Sequence, residues 1–180
     1  MIIPKNITRP RSGFTLTEML VATGISAVVL TALMYAFLFC NRSFVAMGNY
    51  MDLNKASLVA LDTMTRDIRE ARALQTFATN RLVFTAYNSN QLIYAWDSST
   101  RRLTRSFGGT TNVLLKECDY LLFDISQRTP TTDGVFGFYS ATNNAAVCKL
   151  VSVSWRCTRS IMGQKANTES VQTARIVMRN

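Results

Sequence analysis

The chain opens on a short polar stretch and then turns apolar, with no charged side chain from residue 19 to residue 40. As a helix rising ~1.5 Å per residue, this run spans ~33 Å, enough to cross the hydrocarbon core of a bilayer. Arg42 marks its far end. The pattern then continues with one apolar stripe. Leu53, Ser57, Ala60, Leu61, Met64, Ile68 and Ala71 recur at three- and four-residue spacing, a single apolar stripe along a helix. Asp62 and Arg66 stand at i and i+4 in the favourable order. No proline falls between Pro10 and Pro130. One continuous helix is therefore expected over 14–74, ~90 Å long at ~1.5 Å per residue and too long for a compact domain to enclose.

Beyond it the pattern becomes that of strands. Runs at 81–87, 91–97 and 103–107 are separated by Asn88-Ser89-Asn90, Ser98-Ser99-Thr100 and Gly108-Gly109, which predicts an antiparallel meander with tight turns. A further strand is expected over 113–125, with a break near Lys116. Over 147–157 the alternation is clear, with Val151, Val153 and Trp155 on one face and Ser152, Ser154 and Arg156 on the other. A final strand is expected at 174–178. The stretches 127–134 and 159–171 read as mobile loops. The fold class is α+β, a long N-terminal helix whose second half packs on an antiparallel β-sheet. Tyr94, Trp96, Phe123, Phe136, Phe138 and Trp155 are expected in the core or facing the helix. Phe136 and Phe138, beside the loop, are also candidates for partner contact.

Composition narrows the chemistry. A length of 180 residues suggests one domain beside the apolar span. The net charge of +9 is too modest to demand an anionic partner. The absence of histidine removes Ser-His and Cys-His nucleophile pairs and the commonest metal ligand. The cysteines, at 40, 118, 148 and 157, show no Cys-x-x-Cys spacing. Three of them lie beyond the span, an odd number that cannot all pair within one chain. Cys148 and Cys157 flank one strand and would stand ~30 Å apart, far beyond disulfide reach. A bridge, if one forms, uses Cys118 with one of the other two; free buried thiols are the equal alternative. Asp97 reads as turn chemistry rather than as a calcium ligand. Arg101, Arg102 and Arg105 with Phe107 form a basic cluster, but their spacing is that of a strand and its solvated turn. No catalytic residue, cofactor site or metal site is expected, and no enzymatic role.

One residue breaks the apolar pattern at its entrance. A charge in a spanning helix costs roughly 2.5–3.5 kcal/mol at its centre and less near the ends, yet Glu18 stands there. It belongs to Arg11-Ser12-Gly13-Phe14-Thr15-Leu16-Thr17-Glu18-Met19-Leu20, preceded by Lys5 and Arg9 with no acidic residue. A secretory signal fits poorly, because its apolar region runs ~7–15 residues and ends at a small-residue cut site. A lipoprotein signal at Cys40 would follow the bulky Leu38-Phe39, and a plain signal anchor leaves Gly13-Phe14 and Glu18 unexplained. The segment resembles the processing motif of type IV pilins and type II secretion pseudopilins: basic leader, Gly, Phe, Thr-Leu-x-Glu, apolar helix. The resemblance implies that a prepilin peptidase cuts between Gly13 and Phe14, that the new Phe14 amine is methylated, and that Glu18 serves subunit assembly. A cationic amine at Phe14, in the same chain or a neighbour, is the natural partner of Glu18. Such a pair can set the register between subunits. The cut takes three of the nine net charges and leaves +6.

A looser resemblance extends over roughly 56–125. Ala60-Leu61-Asp62, Thr65-Arg66-Asp67-Ile68-Arg69-Glu70-Ala71, Leu92-Ile93-Tyr94, Arg102-Leu103-Thr104-Arg105, Leu114-Leu115 and Leu121-Leu122-Phe123 are similar to J-type minor pseudopilins and the related W-type minor pilins. The chain departs from many pilins in having no proline in the membrane helix, so a kink would depend on Gly24 or Gly48. The implied division is a leader at 1–13, a transmembrane half-helix at 14–41, an amphipathic half-helix at 42–76 and a β-sheet domain at 77–180. The implied function is that of a minor pseudopilin helping to start or cap a type II secretion pseudopilus. The alternative is a minor pilin of a type IV pilus, serving assembly, adhesion, motility or DNA uptake. The implied partners are the prepilin peptidase, other major and minor subunits, inner-membrane lipid and secreted proteins, with DNA not expected. The leader's positive charges place the C-terminal domain in the periplasm.

Overall fold

The computed structural model describes residues 13–129, 138–160 and 168–179. The basic leader and Phe136 lie outside the described residues, and Phe138 is described only as backbone. The chain divides into two compact units, with the boundary between Ser43 and Phe44.

In the first unit, residues 13–15 lead into helix α1, Leu16–Glu70, and every described side chain up to Ser43 is exposed. An 18-residue window of this helix has mean hydropathy 2.0 and is 0% buried, so by length and composition it can cross a membrane. Its hydroxyls turn inward on the backbone. Thr23, Ser26, Thr31 and Ser43 donate to the carbonyls of Leu20, Ala22, Ala27 and Phe39. A donor bonded within its own helix carries no unmet polar group into an apolar solvent. The helix passes through Gly24 and Gly48 without a break.

In the second unit the remaining turns of α1 bury the predicted stripe. Leu53, Ser57, Ala60, Met64, Ile68 and Ala71 are buried, and Leu61 is partly so. The exposed Asp62–Arg66 ion pair forms at 3.1 Å. The helix stops at Glu70 rather than at 74. Arg72 N–H donates to Thr85 O at 2.8 Å, and Ala73–Ala78 becomes strand β1. Leu74 thereby lies buried opposite Phe84. Ladder bonds and that burial outweigh the helix propensity of Ala73 and Leu74.

Two antiparallel sheets replace the expected single one. The first has the order β1-β2-β3-β4-β5, with β2 Arg81–Thr85, β3 Gln91–Asp97, β4 Arg102–Phe107 and β5 Thr110–Leu115. This is the predicted meander, continued at one edge by the strand expected from 113 and joined at the other by β1. Gly108 and Gly109 both take positive φ, as a two-residue hairpin turn requires. Asp97 does turn work: its carboxylate accepts from Ser99 N–H at 2.9 Å, Ser99 Oγ at 2.7 Å and Thr100 Oγ1 at 2.8 Å. These bonds, chiefly those from Ser99, hold its acidity at a pKa of about 2.

The second sheet has the order β7-β6-β8-β9, with β6 Cys118–Thr129, β7 Phe138–Ala141, β8 Cys148–Thr158 and β9 Glu169–Val177. The expected strand at 113–125 is thus two strands in two sheets. The break near Lys116 is a real corner, where Glu117 sits at φ 60. Residues 127–129 and 169–171, expected in loops, extend β6 and begin β9; 130–137 and 161–167 lie outside the described residues. Val151, Val153 and Trp155 face the core as predicted, and Tyr94 and Phe123 join them. Trp96 is partly buried against that core.

Candidate functional site

The N-terminal segment is open chain meeting a helix. Gly13 has nothing within 4 Å of where a Cβ would stand, and Phe14 is 83% exposed. Among the described residues, nothing packs against Gly13, and the Phe14 side chain is open. Thr15 and Glu18 close a reciprocal cap. Glu18 N–H donates to Thr15 Oγ1 at 3.3 Å, while Thr15 N–H and Thr15 Oγ1 each donate to Glu18 Oε2 at 2.9 Å. This is a capping box, Thr-x-x-Glu, which satisfies two donors the helix start would otherwise orphan. The sequence carried its signature, and the reading of Glu18 as an assembly residue passed over it. The carboxylate consequently sits at the helix start, bonded to the N–H one residue away from the amine that a cut before Phe14 would create.

A second constellation joins α1 to the first sheet. Tyr94 and Arg105 are register partners on β3 and β4, and both reach Asp67 on α1. Tyr94 Oη donates to Asp67 Oδ2 at 2.5 Å, and Arg105 donates from Nε to Oδ2 at 2.5 Å and from Nη2 to Oδ1 at 3.1 Å. The Arg105 and Asp67 side chains are only 20% and 15% exposed. Arg105 also lies 5.2 Å from the centre of the Phe107 ring. Burial, and then the Asp67 carboxylate, push the Tyr94 phenol well above its ordinary range. Its bond to Asp67 raises the Arg105 pKa further still. Sequence reasoning missed Asp67, although its position gave a signal. It falls three residues after Met64 and four before Ala71, an acid on the buried stripe.

Another joint lies at the corner between the sheets. Arg101 Nη2 donates to Thr158 O and Oγ1, both at 2.9 Å, and to Glu117 O at 3.2 Å. Arg159 pairs with Glu117 at 2.8 Å and reaches Asn49 Oδ1 on α1 at 2.9 Å. On the buried side Trp155 Nε1 donates to Ser57 Oγ at 3.2 Å, which explains a serine within the apolar stripe. The basic cluster of the sequence is thereby taken apart: Arg101 and Arg105 are bound to internal acceptors, and Arg102 is exposed. Among the described residues, no three His, Cys, Asp or Glu side chains group as a metal site.

Residues 8–34 match the family described as Prokaryotic N-terminal methylation motif. No curated protein matches the chain. The matched segment contains Gly13, Phe14 and Glu18 and runs on into the exposed apolar part of α1. Such a motif implies processing by a prepilin peptidase and assembly with other pilin subunits, and the apolar helix fits a single-pass membrane anchor. This motif, together with one long N-terminal helix joined to antiparallel sheets, supports membership of the type IV pilin and pseudopilin superfamily.

Proposed function

We propose that this chain is a minor pseudopilin of the J type, a non-enzymatic subunit that helps start or cap a type II secretion pseudopilus. The observation that carries this reading is the meeting at Asp67. Three of the stretches that resemble J-type subunits, 65–71, 92–94 and 102–105, are well separated in sequence. Each supplies one residue, Asp67, Tyr94 and Arg105, to a single cluster. The resemblance therefore follows a physical joint between helix and sheet rather than scattered likeness. The geometry also favours cleavage between Gly13 and Phe14, methylation of the Phe14 amine, and an assembly role for Glu18. The open Gly13 and Phe14 and the carboxylate at the helix start are what those steps need. The basic leader favours a periplasmic C-terminal domain. DNA uptake gains no support, because two of the three clustered arginines are bound within the fold.

The test begins with the N-terminus. Protein extracted from membranes is expected to start at Phe14 with a methylated amine, read by intact mass and by the N-terminal peptide. A mature start at Met1, or near Ala46, overturns the pilin-type reading. Deleting the gene then separates the two systems: lost secretion with normal pili supports the pseudopilin, and lost pili with normal secretion supports the type IV minor pilin.

A further inference from the structure

We propose that Cys118 and Cys157 close a disulfide that staples β6 to β8 beneath helix α1. The two residues are direct register partners in the antiparallel ladder, and both are buried. The surrounding bonds show what kind of pair they form. Thr158 N–H donates to Glu117 O at 3.0 Å, and Cys118 N–H turns away to Arg101 O at 2.9 Å. The ladder bonds flank the cysteines instead of joining them. In such a non-hydrogen-bonded pair the Cα atoms stand ~4.5 Å apart with side chains close on one face. That separation lies within the ~4.4–6.8 Å window of disulfides. The two free thiols already interact side chain to side chain, and Cys157 also meets the Ser57 hydroxyl on α1.

The other cysteines have no comparable neighbour. Cys148 begins β8, opposite Gln127, nine residues along the strand from Cys157. At ~3.3 Å per residue it is ~30 Å from either member of the pair. Cys40 belongs to the exposed apolar part of α1. Of the two bridges the sequence left open, the ladder register favours the one between Cys118 and Cys157.

The inference rests on the reading that the C-terminal domain is periplasmic, a compartment where disulfides persist. Because α1 covers the pair, closure belongs to folding, before the helix docks. The oxidant is a disulfide, carried by a thiol oxidase or by oxidised glutathione. One cysteine thiolate attacks a sulfur of that disulfide, forms a mixed disulfide and releases the first thiolate. The second cysteine thiolate attacks the protein sulfur of the mixed disulfide, closes the Cys118–Cys157 bond and releases the second thiolate. Two protein thiols are oxidised, one disulfide is reduced to two thiols, and the two protons pass to the leaving thiolates.

The experiment uses the full chain, expressed with its leader in a Gram-negative host, extracted, denatured and labelled with maleimide before and after reduction. Two labelled positions are expected before reduction, Cys40 and Cys148, and four after it, with a linked peptide joining Cys118 and Cys157. The double variant Cys118→Ala, Cys157→Ala is expected to label at the same two positions either way. Four labelled positions before reduction, or a link through Cys148 or Cys40, overturn the bridge. Protease added to spheroplasts reads location separately. A domain digested from outside that still shows four free thiols overturns the bridge and leaves the periplasmic reading standing. A protected domain overturns that reading, and refolding the full chain in detergent with oxidised glutathione then decides the bridge. A Cys118–Cys157 link supports the pairing, and four free thiols overturn it.

Discussion

The cap that Glu18 forms and the assembly role proposed for it need different atoms. Capping Thr15 requires an acceptor oxygen, which glutamine also carries. Holding a cationic amine requires the charge. Glu18→Gln keeps the first and removes the second, while Glu18→Val removes both. A lost cap costs about 1 kcal/mol, small for a helix of 55 residues, and a helix without a charge inserts at least as readily. Both variants are expected to be inserted and processed normally, and both to be missing from sheared filaments probed by immunoblot. Glutamine behaving as wild type while valine fails would assign Glu18 to the cap. Valine behaving as wild type would remove it from assembly altogether.

Between elements, the cluster at Asp67 fastens α1 to the first sheet, and its value is measurable. Removing the carboxylate leaves a largely buried guanidinium and a buried phenol without their acceptor. For such a partly screened pair a loss of about 2–3 kcal/mol is expected from Asp67→Ala. The check is denaturant unfolding, with Arg105→Leu as the second arm of a double-mutant cycle; a coupling near zero would deny the clamp. How much of this was legible follows from the same elements. The helix stripe and the faces of β8 were visible, because burial imprints a period of 3.6 or 2 on the sequence, while β2, β3 and β4 were legible as strands from the turns between them. The end of α1 was not visible, because Ala73 and Leu74 suit a helix as well as a strand and only pairing with β2 decides between them. The second sheet was hidden for a related reason. The break near Lys116 was expected, but nothing in Lys116 or Glu117 says that the chain changes sheets there, where Glu117 takes positive φ and β6 leaves the first sheet. Of the N-terminal site, the motif and the Thr15–Glu18 box were both written in the sequence. The pairing of Asp67 with Tyr94 and Arg105 was not, since it depends on a register between strands that composition does not carry.

At the scale of the molecule, the boundary between Ser43 and Phe44 makes a prediction about autonomy. Among the described residues, all of the buried core lies at or beyond Leu53. The part of α1 in this unit supplies Leu53, Ser57, Ala60, Met64 and Ile68 to that core. A fragment of residues 44–180 is therefore expected to fold as a monomer or weakly associating domain. Starting at Tyr50 instead removes Asn49 and its bond from Arg159, at a cost of about 1 kcal/mol for a partly exposed contact. The longer fragment should thus melt a few degrees higher. The face of α1 turned away from the sheets still exposes Met47, Tyr50, Met51, Leu58 and Val59. Association with other minor subunits through apolar surface of that kind would persist in moderate salt. DNA binding would not. Three phosphate contacts would give a salt slope of about −3, and with Arg101 and Arg105 held inside the fold only Arg102 remains, for a slope of about −1. Co-purification of the fragment with the minor subunits at moderate salt, beside a DNA titration of the same preparation, separates the outcomes. Subunit capture with negligible DNA binding is expected. Tight DNA binding without a subunit partner would mean that Arg101 and Arg105 leave their internal acceptors, and would put the DNA-uptake alternative ahead of the secretion reading.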